Sequence, residues 1–510
     1  MIAALPAIVS LYVYFALKQE RNSLILLTIS AFLLRLIMIS LDPYLQDWDE
    51  RFHALVAKNM IDYPFKPMLR LYPIMHYDYK AWCCNHIWVH KQPLFLWQMA
   101  LSMKIFGTNE IAMRLPSAVM GTIAVLFTYE IASFWAKNNT IAYIAAFIAT
   151  FSFYQLGLTA GRFSLDHNDL TFTFYVTASI WAFVKYLKSN YKLHWAIAIG
   201  VFVACAILNK WLTGLLIYGA WALYISLSAP NLTYLKKYAH LVGSILTACL
   251  LFLPWQIYIA NKFPLENAWE QEFNRKHIFE ALDQQTGSIF YHLHFMQTAY
   301  GKYLLPFLII GFGCSFFKKE IDAKLSASFA AIIVALFAFF SLIVATKMPA
   351  FVYPVSTLLI VLIALGVFEA FVWITSKLKF WNWQKTTNLS LAFLTAFIGI
   401  YSLKPWEIAA QSSKNNETRN AKINNTQIYK KFDPNIASKY LVINCKSFED
   451  VELMFYQNVN AYHWYPEKKT LDSLQQKGYK FAAFKSHTNQ ILPEYINNDT
   501  NILIINEQIK

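Results

Sequence analysis

Three carboxylates fall within four positions at Asp47-Trp48-Asp49-Glu50, directly after an apolar run, and open a stretch with amphipathic helical spacing through Met60. A carboxylate at the mouth of a bilayer can take the proton of a hydroxyl nucleophile, and a second beside it can position a ligand or a metal. Acidic residues also open helices for a plainer reason: they accept from free N–H groups and oppose the helix dipole. Both readings stand on the residues alone, although three carboxylates exceed what one cap requires.

Cations follow in the same and later loops. Lys91, in His90-Lys91-Gln92-Pro93, precedes an apolar stretch of about 14 residues, too short to span and suited to the interface. An ammonium at that depth reaches a lipid phosphate, or simply snorkels. Gly161-Arg162-Phe163-Ser164-Leu165-Asp166-His167-Asn168-Asp169 lies where two apolar runs meet, and Asp169 enters the second of them. Charge at membrane depth is costly and faces a cavity or a partner; Arg162 is the structural partner expected for it. The same logic flags Lys210, between two short apolar runs, and Lys347, in Thr346-Lys347-Met348-Pro349, where an anionic partner is expected. His53, His76, His86 and His90 share the first long loop, but their spacing fits no standard ligand pattern. A divalent metal stays open and its ligands unknown.

These residues need a frame. The chain has 510 residues, 57% hydrophobic and 15% charged, against about 45–50% and about 25% in soluble proteins. The excess is more apolar surface than one core consumes, so the solvent is mostly lipid. Roughly twelve apolar runs, from 2–17 to 386–404, are long enough to span or nearly so. The first lacks a basic start and a small-residue cleavage site, and is expected to be a retained span. Lys18 with Arg21, Lys137, Lys185 with Lys188, Lys236 with Lys237, Lys318 with Lys319, and Lys377 with Lys379 fall in alternate short loops. By the positive-inside rule those loops are cytoplasmic. The long segments 42–114 and 261–299, and the tail from 405, then face the exterior or periplasm.

The net charge of +14 is dispersed among these loops, so nucleic acid is excluded as a partner. Of six cysteines, three sit in apolar runs, Cys83 and Cys84 are adjacent, and no metal spacing appears. Nothing in that pattern makes cysteine chemistry the function. In the tail, 412–426 is rich in Asn, Lys and Ser and reads as a linker. Beyond it, short apolar runs at 440–445, 480–484 and 501–506 alternate with helical stretches, the pattern of a small α/β domain with a parallel sheet. The expected organisation is a membrane domain, 1–404, followed by an external soluble domain, 405–510.

In order along the chain, Asp49-Glu50, Lys91-Gln92-Pro93 with Trp97, Phe106-Gly107 through Arg114-Leu115-Pro116-Ser117, and Thr346-Lys347-Met348-Pro349 with Tyr353-Pro354 form a recognisable set. Together they resemble the membrane glycosyltransferases of the protein mannosyltransferase and aminoarabinose transferase type, family 39-like with a GT-C fold. The resemblance covers about 23–375, with weaker matches at Asp169, Asn209-Lys210 and Leu253-Pro254-Trp255. Four positions depart from the pattern: Phe52 and His53 stand where the family carries Arg-Tyr, Gln92 interrupts its Lys-Pro, and His277 aligns only loosely with a metal-binding His.

The resemblance implies an all-α polytopic fold with amphipathic helices in the external loops, and transfer of a sugar from a polyprenyl-phosphate donor to a lipid, glycan or protein hydroxyl, with inversion. Asp49 is then the general base and Glu50 positions a ligand or metal. Lys91, Arg114, Arg162, Asp169, Lys210, Lys347 and Tyr353 are the expected substrate contacts. Compartment argues the same way, because nucleotide sugars are cytoplasmic and no Gly-rich phosphate loop is present. Two other classes compete: a membrane transporter, which also needs intramembrane charges but commonly shows internal repeats and broken mid-membrane helices, and a non-catalytic polyprenyl-lipid-binding protein, which keeps the apolar runs and Lys91 without needing Asp49.

Overall fold

A computed structural model describes residues 2–163, 167–228, 234–377, 384–487 and 490–509. Ser164, Leu165 and Asp166 of the third motif, and Lys379, lie outside the described residues. The chain forms two compact units: Met1–Met38, Ser117–Pro264 and Ala268–Pro405 make the first, and Ile39–Pro116, Leu265–Asn267 and Trp406–Lys510 the second.

Among the described residues, 8 helices are long and apolar enough to cross a membrane, or up to 10 if each of two bent pairs counts as one span. The chain is thus multi-pass, but a count of about twelve is not confirmed. Two effects separate the figures. The run at 141–158 is broken at Ser152 into Asn139–Phe151 and Phe153–Thr159, bent by 48°, and Tyr291–Tyr300 meets Leu305–Phe317 at 102°. The helices Leu5–Phe15, Leu94–Phe106 and Leu212–Ser226 are apolar but short.

Within the first unit, His167–Lys188 packs on Leu193–Lys210, which packs in turn on Tyr234–Lys262. Leu305–Phe317 lies against Ser356–Lys377 at very close range. A Cβ on Gly311 would stand 1.8 Å from the Leu362 carbonyl oxygen, and one on Gly366 1.8 Å from that of Phe307. Lipid tails are as apolar as Leu, so helices in a membrane gain by such backbone contact rather than by hiding apolar surface.

The second unit joins the first long loop to the tail. Its helix Asp49–Met60 packs on Leu94–Phe106 and on Asp450–Tyr456 of the tail. One core contains Phe52, Leu55 and Val56 from the first of these helices, Phe95, Leu96 and Met99 from the second, and Val451, Leu453 and Phe455 from the third. Four parallel strands form the tail sheet, in the order Asn460–Ala461, Tyr440–Ile443, Lys480–Phe484, Ile502–Ile505. The α/β pattern of the tail is present, with an additional edge strand at Asn460–Ala461. The stretch expected as a linker is instead mostly the helix Glu417–Lys430, opened by Asn416, whose side chain accepts from the Arg419 N–H. Asn425, Thr426 and Tyr429 on it are buried.

Candidate active site

The Asp49–Met60 helix begins without a side-chain cap. The preceding Trp48 has φ of 62°, a backbone region that costs an L-residue about 1–3 kcal/mol and recurs at functional sites. Its ring is exposed and tilted against Phe448, 5.7 Å between centroids. The three carboxylates of the cluster then separate into three environments.

Glu50 is inside. Its side chain is 1% exposed and takes Arg114 as a fork, Nε to Oε1 at 2.6 Å and Nη2 to Oε2 at 2.9 Å, while Oε2 also accepts from the Gln46 N–H at 2.5 Å. Arg114 completes its donors on backbone oxygens of Ile39 (3.2 Å), Asp42 (2.9 Å) and Tyr44 (2.7 Å). Both side chains are enclosed, so this pair clamps the loop to the start of the helix. Glu50, expected to position a ligand or metal, and Arg114, expected as a substrate contact, are thus paired with each other inside the fold. Asp47 faces outward and binds Arg51 at 2.7 Å and Lys422 at 2.5 Å. Asp49 is one-third exposed, with the Lys91 ammonium 3.5 Å from its Oδ2. Asp47 and Asp49 thus both combine access with a neighbouring cation, and the one beside Asp49 is Lys91.

Beneath the helix lies an acidic group that sequence did not reveal. Arg51 is buried against Glu452, 3.7 Å away. Burial pushes the Glu452 carboxyl up to about 8, helped by Glu449 and Asp47 and opposed by Arg51. Lys58 donates to the carbonyls of Met454 (2.7 Å), Phe455 (3.0 Å) and Gln457 (3.3 Å), and burial brings its ammonium down to about 8. A cation on terminal carbonyls satisfies groups the helix Asp450–Tyr456 cannot pair itself. The only sequence signal was the density of acids at Glu449-Asp450-Val451-Glu452.

In the first unit the sequence-flagged residues form other pairs. Asp169, in the first turn of His167–Lys188, is ion-paired with Lys210, the last residue of Leu193–Lys210. Lys210 also stands over the Phe351 ring at 5.8 Å. Arg162 is half-buried. Lys347 donates to carbonyls of Phe340 (2.8 Å), Ser341 (2.9 Å) and Val344 (2.5 Å), so helix-end oxygens fill the role expected of an anion. Its segment is stitched to 277–285: Ala345 N–H to Ile278 O, Thr346 N–H to His277 O and Lys347 N–H to Gln285 O. His277 Nδ1 lies 3.1 Å from Thr346 Oγ1. Tyr353, also an expected contact, is 1% exposed and packs behind Tyr154 with centroids 4.7 Å apart. Tyr154 itself faces a cavity of about 510 Å³ lined also by Phe163, Tyr291, His294, Met348 and Pro349. Among the described residues, no group of three His, Cys, Asp or Glu side chains gathers to hold a metal ion.

Residues 90–258 match the family described as dolichyl-phosphate-mannose-protein mannosyltransferase. An undecaprenyl phosphate-alpha-4-amino-4-deoxy-L-arabinose arabinosyl transferase of Pseudomonas aeruginosa is 28% identical over 172 residues, 32% of this chain and 29% of that protein. One from Proteus mirabilis is 27% identical over 225 residues, 42% of this chain and 36% of that one. The match thus spans about a third of the curated relatives' length. Among solved structures, ArnT from Cupriavidus metallidurans bound to undecaprenyl phosphate aligns with a TM-score of 0.61 at 14% identity, over 89% of this chain and 88% of that one. The oligosaccharyltransferase AglB from Archaeoglobus fulgidus, in complex with an inhibitory peptide and a dolichol-phosphate, aligns with a TM-score of 0.54 at 13% identity, over 86% of this chain and 64% of that one. The chain is thus a multi-pass membrane protein that shares its fold with ArnT and AglB, and over residues 90–258 its sequence is similar to the dolichyl-phosphate-mannose-protein mannosyltransferase family.

Proposed function

We propose that this protein transfers a sugar from a polyprenyl-phosphate donor to a hydroxyl acceptor on the outer face of the membrane, with Asp49 as general base. The observation that carries the reading is the contrast within the acidic cluster. Glu50 is spent on a buried clamp, whereas Asp49, one residue away, is accessible with Lys91 at 3.5 Å. A cap needs neither the clamp nor the cation.

The chemistry follows from those groups. As the acceptor oxygen bonds to the anomeric carbon, its proton passes to the Asp49 carboxylate. The bond from that carbon to the phosphate oxygen breaks on the opposite side, releasing polyprenyl phosphate and inverting the centre. Proton acceptance of this kind contributes roughly 10²–10⁴-fold. Charge developing on the leaving phosphate is best met by cations already in place. Lys91, beside Asp49, takes that role. The donor class is supported by the relatives, which are named for undecaprenyl-phosphate-linked arabinose. The outer face is supported by the alternation of basic loops.

The test is transfer of label from a panel of polyprenyl-phosphate sugars in membranes. Wild type is expected to consume one donor, and Asp49→Asn to lose at least about a hundredfold in rate while still binding polyprenyl phosphate. Donor binding without turnover by the wild type would replace this reading with lipid binding or transport. Equal rates in the two proteins would return Asp49 to helix capping.

A further inference from the structure

In the loop unit, Cys83 and Cys84 stand side by side in sequence with their sulfurs 2.8 Å apart. Both are half-buried. The turn that carries them is fixed: the N–H groups of Cys84 and Asn85 both donate to the Ala81 carbonyl at 3.0 Å, and Trp88 Nε1 donates to the Trp82 carbonyl at 2.8 Å. Neighbouring side chains in a mobile loop would point apart for much of the time; here the turn holds both sulfurs on one side. We propose that Cys83 and Cys84 are a redox-active vicinal dithiol, which closes to a disulfide by exchange with an oxidising disulfide of the outer compartment.

The surroundings favour exchange. The thiol of Cys83 is brought down to about 7 by its hydrogen bond with Cys84, with His463 adding to the effect, and the thiol of Cys84 is pushed up by the same bond. His463 and Arg70 are both held by buried Asp450, at 3.1 Å and 2.5 Å. Attack by the Cys83 thiolate, the thiolate and not the thiol being the nucleophile, opens the exchange. Cys83 bonds to one sulfur of the oxidant and expels the other as a thiolate. Cys84, losing its proton to water, then attacks the Cys83 sulfur and expels the second thiolate. Two cysteine thiols lose two electrons and two protons, and the oxidant disulfide becomes two thiols. A bond between neighbours encloses almost no chain, so it adds little by loop closure. That argues for an exchangeable pair and against a structural staple.

The position gives closure somewhere to act. Trp82, one residue before the pair, packs on Phe52 with centroids 4.6 Å apart and stacks on His90 at 6.0 Å. Phe52 follows Asp49 by three residues, and His90 adjoins Lys91.

The proposal rests on the outer-face reading for its oxidant in the cell, but its test uses neither transfer activity nor topology, so the two fail separately. Full-length protein, purified reduced, is exposed to oxidised glutathione, quenched, alkylated and cut with trypsin. Cleavage after Lys80 and Lys91 releases one peptide with both cysteines and no other. The expected peptide is lighter by two hydrogens, resists alkylation and recovers both thiols on reduction. Cys84→Ser is expected to trap glutathione on Cys83, and Cys83→Ser to trap it on Cys84, neither closing a disulfide. Wild-type protein in which both cysteines remain alkylated after oxidation, or in which either is linked to Cys445, overturns the proposal.

Discussion

Adjacent carboxylates with opposite surroundings make opposite predictions. Replacing Glu50 by Gln leaves the Arg114 guanidinium enclosed with its charge uncompensated. Breaking one side of a buried pair costs about 3–5 kcal/mol, a large share of a protein's margin of stability. Glu50→Gln is therefore expected to lower the unfolding temperature in detergent by many degrees, and Arg114→Lys to follow it, because an ammonium cannot form the fork. Asp49→Asn removes a partly solvated carboxylate and should leave that temperature nearly unchanged while transfer collapses. If Glu50→Gln unfolds at the wild-type temperature, the clamp reading is wrong and Glu50 returns to the reacting groups. The cluster itself was legible, since three acids after an apolar run are unusual. Its division was not, because Arg114 lies 64 residues beyond Glu50 and spacing along a chain does not encode such a pairing. Lys347 shows the same limit. Its isolation among apolar residues announced an unusual partner, but nothing local said that the partner would be the end of the preceding helix.

At the scale of elements, the sequence pattern located the helix Asp49–Met60, and it located the strands Tyr440–Ile443 and Lys480–Phe484 as short continuous apolar runs, which are buried on both faces. It failed at Glu417–Lys430. That helix has few apolar residues to betray it and uses polar ones instead: Arg419 reaches Asp42 at 3.3 Å, and Lys422 reaches Asp47 at 2.5 Å. The contact between Asp49–Met60 and Asp450–Tyr456 carries a pH dependence. Glu452 titrates at about 8 in the fold and near 4.3 unfolded, so between those values the folded state holds the extra proton. Its contribution is complete below the lower value and is lost as pH rises through the upper one. Hydrogen exchange across both helices should therefore quicken from about pH 5 to about pH 8, after correction for the intrinsic rate. Glu452→Gln, which mimics the protonated acid, should match wild type near pH 5 and exceed it by roughly 1–3 kcal/mol near pH 8. Parallel curves for the two proteins would mean that Glu452 gives up its proton without cost to this contact.

For the whole molecule, composition was enough to establish a chain that crosses the membrane many times, and the run-length rule then overcounted. A run of apolar residues says nothing of a bend at Ser152, nor of a helix such as Leu94–Phe106 that is apolar without being long. The same kind of evidence drew a boundary at 405 between membrane chain and tail, because hydropathy changes there. Compactness groups the residues otherwise, with Ile39–Pro116 and Trp406–Lys510 in one unit. Phe52, Leu55 and Val56 of the loop share their core with Val451, Leu453 and Phe455 of the tail, and Lys58 caps a tail helix. Ending the chain at Pro405 would therefore uncover the apolar side of the very helix that begins with Asp49. The expected result is a truncated protein whose first long loop is cut rapidly by added protease, with cleavage concentrated within 42–114, and whose transfer activity is lost together with that protection. A truncated protein that keeps the loop protected would show the tail to be an appendage; here, the distribution of buried side chains makes it half of the support on which Asp49 is held.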